Sequence, residues 1–138
     1  MLNSRRNYIL GSLATLALAM AGCGAGEEGP AKHKVWGTVT FNGENVKEGL
    51  ITFTPVEEGK GPEAGPIKDG KYSFRAKGGK QKVSITASRE VPGKTESDYK
   101  GGTVPVREAY IPEKYNNNTE LVAEVKKGGS EHDFKLTD

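Results

Sequence analysis

Few side chains in this chain are suited to covalent or metal chemistry: one cysteine, Cys23, and two histidines, His33 and His132. A metal site draws on clustered His, Cys, Asp or Glu at ligand spacing. Here one histidine sits in a charged segment after the leader and the other near the start of the last predicted strand. His132 and Asp133 are adjacent, so within a strand they point to opposite faces. No metal and no cofactor is expected from that pattern. Nucleophilic catalysis needs Ser, His and a carboxylate converging from separate loops. His132 is the only candidate base in the part of the chain predicted to fold, and no nucleophile-elbow motif surrounds any serine. The residue types argue against an enzyme.

A different chemistry is suggested by "REVPGKTESDYKGGTVPVREAYIPEKYNNNT", Arg89 to Thr119, about thirty residues containing three prolines. That is too long for an ordinary hairpin, and such loops are usually functional or disordered. Tyr99, Tyr110 and Tyr115 alternate there with Arg89, Arg107, Lys114, Glu108 and Glu113. Tyrosine with arginine suits recognition of proteins or sugars, because rigid rings give contact area at low entropy cost. The candidate ligand or partner contacts are therefore Trp36, Tyr99, Arg107, Tyr110 and Tyr115. The alternative use of "YIPEKY" is to fold back over a sheet edge and protect it, and that structural use is the expectation adopted.

The elements that must position these residues are short. Hydrophobic content is 34 % and aromatic content 7 %, which limits the core, while nineteen glycines and seven prolines imply many turns. The formal charge of +2 comes from Arg5 and Arg6, since from Cys23 onward 18 Lys plus Arg meet 18 Asp plus Glu. These charges alternate in sign, which excludes the clustered positive footprint of a nucleic-acid binder.

"MLNSRRNYILGSLATLALAMAGC" has a positive end at Arg5 and Arg6, an apolar stretch from Ile9 to Met20, and small residues Ala21 and Gly22 before the cysteine. This predicts a helical export leader over 1–22, too short to serve comfortably as a permanent span of a hydrocarbon core about 30 Å thick. Residues 23–33 read as a tether. From residue 34 the pattern turns to period two. "KVWGTVTF" places Val35, Val39 and Phe41 on one face, "LITFTP" pairs Ile51 with Phe53, and "QKVSITAS" aligns Val83, Ile85 and Ala87. Asn42-Gly43 and Asp69-Gly70 are two-residue turn signals, the latter leading to inward Tyr72 and Phe74. "ELVAEV" and "HDFKLT" supply two further strands. The expectation is one all-β domain over 34–138, an antiparallel sandwich of about seven strands with no disulfide.

Two resemblances extend this reading. "AMAGC" resembles the lipobox of bacterial lipoproteins, in which the cysteine thiol is alkylated by diacylglyceryl and the new amine acylated. It implies that Cys23 is the lipidated first residue of a mature extracytoplasmic protein. Gly24, with no aspartate after the cysteine, leans the location toward the outer membrane or periplasmic face. "SRRNYIL" is similar to a twin-arginine signal, with Tyr8, Ile9 and Leu10 departing from it. "VWGTVTFNGENVKEGLITFTP", "GPIKDGKYSF" and "GGKQKVSITAS" resemble carboxypeptidase-regulatory-like domains with a transthyretin-like (prealbumin-like) fold, as in small planctomycete-type lipoproteins. That likeness covers residues 34–138. It implies a non-catalytic structural or protein-interaction module of the cell envelope, read as a monomer, whose partners are the membrane and an envelope protein or glycan. Hydroxyisourate hydrolase shares the fold class, but its closing Tyr-Arg-Gly-Ser is replaced here by "FKLTD".

Overall fold

Alternation of buried and exposed residues builds the first strand. In β1 (Lys32–Phe41) Val35, Gly37 and Val39 are buried between exposed or half-buried neighbours. The computed structural model describes residues 29–138, so the predicted leader, Cys23 and the start of the tether lie outside the described residues. β1 begins two residues earlier than the expected domain boundary, because Lys32 and His33 already pair with Lys77 and Ala76. Asn42 and Gly43 adopt φ of 50° and 83°, the left-handed pair that a two-residue hairpin turn requires. They lead into β2 (Glu44–Asn45), which folds back on Thr40 and Phe41.

β3 (Glu48–Pro55) buries Ile51 and Phe53 and stops at Pro55, which has no N–H to donate to a ladder. β4 (Glu63–Lys68) turns through Asp69 and Gly70, at φ of 48° and 76°, into β5 (Lys71–Lys77). Gly78 alone connects β5 to β6 (Gly79–Ser97). β7 (Thr103–Ala109), a single 3-10 turn at Glu113–Tyr115, β8 (Val122–Val125), β9 (Ser130–Glu131) and β10 (Phe134–Leu136) complete the chain.

The strands form one all-β, curled and mainly antiparallel sheet, in which 62 % of the described residues are strand. Its order is β10-β1-β5-β4-β3-β6-β7, with β2 and β9 on β1 and β8 on β6. β9 and β10 run parallel to β1. Within the β4–β5 hairpin the only register pair is Lys68↔Lys71, and there the sheet folds over. Phe53 of β3 consequently meets Phe74 and Tyr72 of β5 at ring-centroid separations of 5.3 and 6.3 Å. The turn Lys126–Gly129 joins β8 to β9 and so brings the two lateral edges of the curl together.

The core comprises fifteen buried side chains between Val35 and Leu136, so residues 29–138 carry their own hydrophobic centre. Val35, Val39, Ile51, Phe53, Tyr72, Val83, Ile85, Ala87, Ala123, Val125 and Leu136 lie where alternation placed them. Phe41, Phe74, Leu121 and Phe134 are only half-buried against that core. Ten strands replace the expected seven, because β2 and β9 are two-residue segments and the Arg89 to Thr119 stretch contributes strand. That stretch is corrected here: it is not one long loop. Ser88 to Glu90 pair with Arg107 to Ala109, and Thr95 to Ser97 pair with Thr103 to Pro105, across a bulge between Glu90 and Thr95. The result is a two-stranded arm extending β6 beyond the sheet.

Candidate functional site: the arm and the recess at its root

Strand direction fixes where the arm leaves. Gly79 starts β6 in register with Val125, at the end of the sheet where β1 begins and Lys32 faces Lys77. Ala87 reaches Gly49 at the opposite end, and β6 then continues outward as the arm. Hence the N-terminal entry and the arm occupy opposite poles. No residue from Ser88 to Ala109 belongs to the core. The tip is an Asx-stabilised turn: the Asp98 carboxylate accepts from the backbone N–H groups of Lys100 at 2.9 Å and Gly102 at 2.6 Å. Tyr99 sits on this turn, fully exposed.

At the root of the arm lies an open recess of about 970 Å³ lined by Phe41, Glu48, Ser88, Arg89, Arg107 and Tyr110 among others. Arg107 is held on several sides. Its guanidinium donates to Glu48 at 2.8 Å, to the Ser88 carbonyl at 3.0 Å and to the Ser88 hydroxyl at 3.2 Å, with Glu90 at 3.5 Å. Arg89 pairs with Glu108 at 3.0 Å and lies 5.4 Å from the Tyr110 ring centroid. Tyr110 in turn meets Phe41 edge-to-face at 5.7 Å, and its burial pushes the phenol above its ordinary range. These exposed ion pairs each contribute little by themselves. Their geometry ties the arm to β3 and to the end of β1.

Of the five contact candidates, only Arg107 and Tyr110 come together. Tyr99 stands alone at the tip. Tyr115 packs partly on the core, and its hydroxyl accepts from the Thr137 N–H at 3.1 Å, which holds the phenol below its ordinary range. That bond fastens the segment after β10 to the 3-10 turn. Trp36 is half-buried on the outer face of β1, where Gly129 lies close to its ring and Lys34 stands 5.7 Å from its centroid. Asn117 and Asn118 are exposed, whereas Thr119 is buried and donates to the Val83 carbonyl at 2.6 Å.

Sequence reading missed the polar cluster at the pole where β1 begins. Glu63 is 11 % exposed and pairs with Lys77, itself 13 % exposed, and with Lys32 at 3.2 Å. Lys77, although it borders the Gly78 connection, is thereby drawn out of solvent. Burial by itself raises the Glu63 carboxyl, and the hydrogen bonds from Lys77 and Lys32 outweigh it, leaving it below the usual carboxylate range. Gln81, fully buried, donates to the Lys77 carbonyl at 2.7 Å and fixes the β5–β6 connection. His33 is drawn into the fold as well, its Nδ1 accepting from Gly128 N–H at 3.4 Å.

His132 points inward to Phe53, with centroids 6.2 Å apart, while Asp133 turns outward to accept from the Thr38 N–H and hydroxyl at 2.8 and 2.9 Å. The predicted opposition of these two side chains holds. Burial lowers the His132 imidazole, and Ser130 Oγ lies 3.0 Å from its Nε2. Asp133, facing the other way, does not complete a triad with them. Among the described residues no group of three or more His, Cys, Asp or Glu could hold a metal, and no helix is long and apolar enough to cross a membrane. The chain matches none of the family models, curated proteins or solved structures with which it was compared.

Proposed function

We propose that this chain is a lipid-anchored extracytoplasmic protein whose β-domain, a sandwich of the transthyretin-like kind, presents a non-catalytic interaction arm to a partner in the cell envelope. The observation that carries this reading is the polarity of the fold: β1 enters at one pole and the β6–β7 arm leaves at the other. Acylation of Cys23, in the lipobox-like "AMAGC", would hold the entry pole toward the membrane and leave the arm facing away from it. The arm adds nothing to the core, and a two-stranded ribbon by itself is marginally stable in water. Its retention is accounted for by what it contacts. Meanwhile Tyr110 and Tyr115 are engaged in internal packing and Arg107 in internal ion pairs, which supports a structural use for most of the tyrosine-rich segment.

The test is crosslinking in intact cells, with a photoreactive phenylalanine analogue in place of Tyr99 at the tip. A discrete protein adduct is expected. No adduct at position 99, together with glycan capture at the Arg107–Tyr110 recess, would replace this reading with that of a carbohydrate-binding surface module.

A further inference from the structure

The outer face of β1 and β5 carries an arrangement that stability alone does not favour. Like charges directly opposite each other across a strand pair are destabilising. Lys32 opposite Lys77 is bridged by Glu63, yet Lys34 lies opposite Arg75 and, among the described residues, no carboxylate pairs with either. Next along the same face comes Trp36, and its cross-strand partner is Ser73, too small to cover the indole. A shallow recess of about 550 Å³ opens beside the ring, bounded by Thr38, Pro66, Lys71, Ser73 and Glu131. The turn Lys126–Gly129 abuts the same ring through Gly129 and adds exposed Lys126 and Lys127. Among the described residues Lys34, Lys71, Arg75, Lys126 and Lys127 form no ion pair. Glu63 is shared by two lysines, and the carboxylates nearest Trp36 are Glu131, its partner on β9, and Asp133, which is bonded to Thr38.

A half-buried indole ringed by lysine and arginine is the composition found where protein meets the headgroup region, with amphipathic rings at the boundary and cations toward anionic phosphates. The position agrees with it. Cys23 precedes Lys32 by nine residues, which at full extension span only about 30 Å. We infer that the entry-pole half of this face, from Lys32 to Trp36 with the Lys126–Gly129 turn, leans against an anionic bilayer surface and orients the domain on it, the strands inclined so that the arm still points away. This rests on the membrane-anchor reading and gives the anchored domain a defined face.

Trp36 is the single tryptophan of the chain, so its emission reports this face alone. Residues 29–138, which carry the fifteen-residue core described above, are mixed with vesicles of phosphatidylcholine, with or without phosphatidylglycerol. The expected result is a blue shift with the anionic vesicles only, reversed by high salt as the field is screened. Combined K34Q, K126Q and K127Q should weaken vesicle affinity on the order of a hundredfold, at about five-fold per lysine. Combined K94Q and K100Q on the arm should leave it within about two-fold, since those lysines lie away from the bilayer in this orientation. Unchanged emission with anionic vesicles, an equal shift with neutral ones, or equal loss in the arm variant would overturn the inference. Because Cys23 is absent from the protein measured, such a failure leaves the anchor reading to its own test.

Discussion

Replacing Gly37 with alanine should be among the most damaging single-methyl additions to this fold. A Cβ at residue 37 would stand 1.9 Å from the His132 carbonyl oxygen and 2.7 Å from its carbon, both backbone atoms. Contact at an ordinary distance therefore requires the segment leading from β9 into β10 to move away from β1. That segment is held there by the His132 N–H to the Trp36 carbonyl at 2.9 Å and by the Tyr72 hydroxyl to the His132 carbonyl at 2.6 Å. Thr38 adds its two bonds to Asp133. Four hydrogen bonds at about 1 kcal/mol net each put the loss at about 4 kcal/mol. For a domain whose whole stability is of order 5–15 kcal/mol, that is a large fraction. Urea unfolding of residues 29–138 should show the midpoint falling by about 2 M for an m-value of about 2 kcal/mol/M. Gly43 is the control, because a Cβ there meets nothing within 4 Å and strains only a φ of 83°. Its alanine variant should lose about 1 kcal/mol. A Gly37→Ala protein within 1 kcal/mol of wild type would refute the close seating of the C-terminal strands on β1.

Other expectations follow from the same packing. The Glu63 carboxyl titrates below its unfolded counterpart, near 4.5, so its contribution is present above that pH and is lost as pH falls through the lowered folded value. Acid unfolding followed by circular dichroism should therefore show a shallower acid limb in Glu63→Gln than in wild type. Thr119→Val removes the buried bond to the Val83 carbonyl and should cost about 1–3 kcal/mol in urea unfolding. Replacing residues 91–104 with a short turn should leave the melting temperature within a few degrees, since no core side chain lies on the arm; loss of folding would contradict the arm's independence. Pro105 interrupts the donor row of β7, whose only register partner is β6, so Pro105→Thr should promote self-association by light scattering.

Much of the sheet was legible because one face of each strand is buried. Val35 with Val39, Ile51 with Phe53, and Val83 with Ile85 alternate against polar neighbours, and the Asn-Gly and Asp-Gly turns mark the hairpins directly. The arm was hidden for the opposite reason. Both faces of 88–109 meet solvent or a single partner, so no period-two apolar signal arises and the prolines read as a loop. Ala76 and Ile67 continue the inward faces of β5 and β4, where the alternation is weak because Gly65 and Ala76 are small, while Val46 and Ile111 lie outside the strands and belong to no such run. The parallel docking of β9 and β10 on β1, and the Glu63 cluster with Lys32 and Lys77, depend on register between distant segments. Local composition carries no trace of either. Of the candidate contacts, Arg107 and Tyr110 share a recess because β7 ends beside Phe41, whereas Tyr99 and Tyr115 are separated by the arm's own length.

Acylation at Cys23 is the premise on which the opposite-poles account depends, and fractionation of cells expressing wild type and Cys23→Ser, with acyl labelling, tests it most directly. The account requires wild type in the membrane fraction carrying label, and Cys23→Ser released and unlabelled. Unchanged membrane partition of an unlabelled Cys23→Ser protein, or label persisting without residue 23, would contradict it.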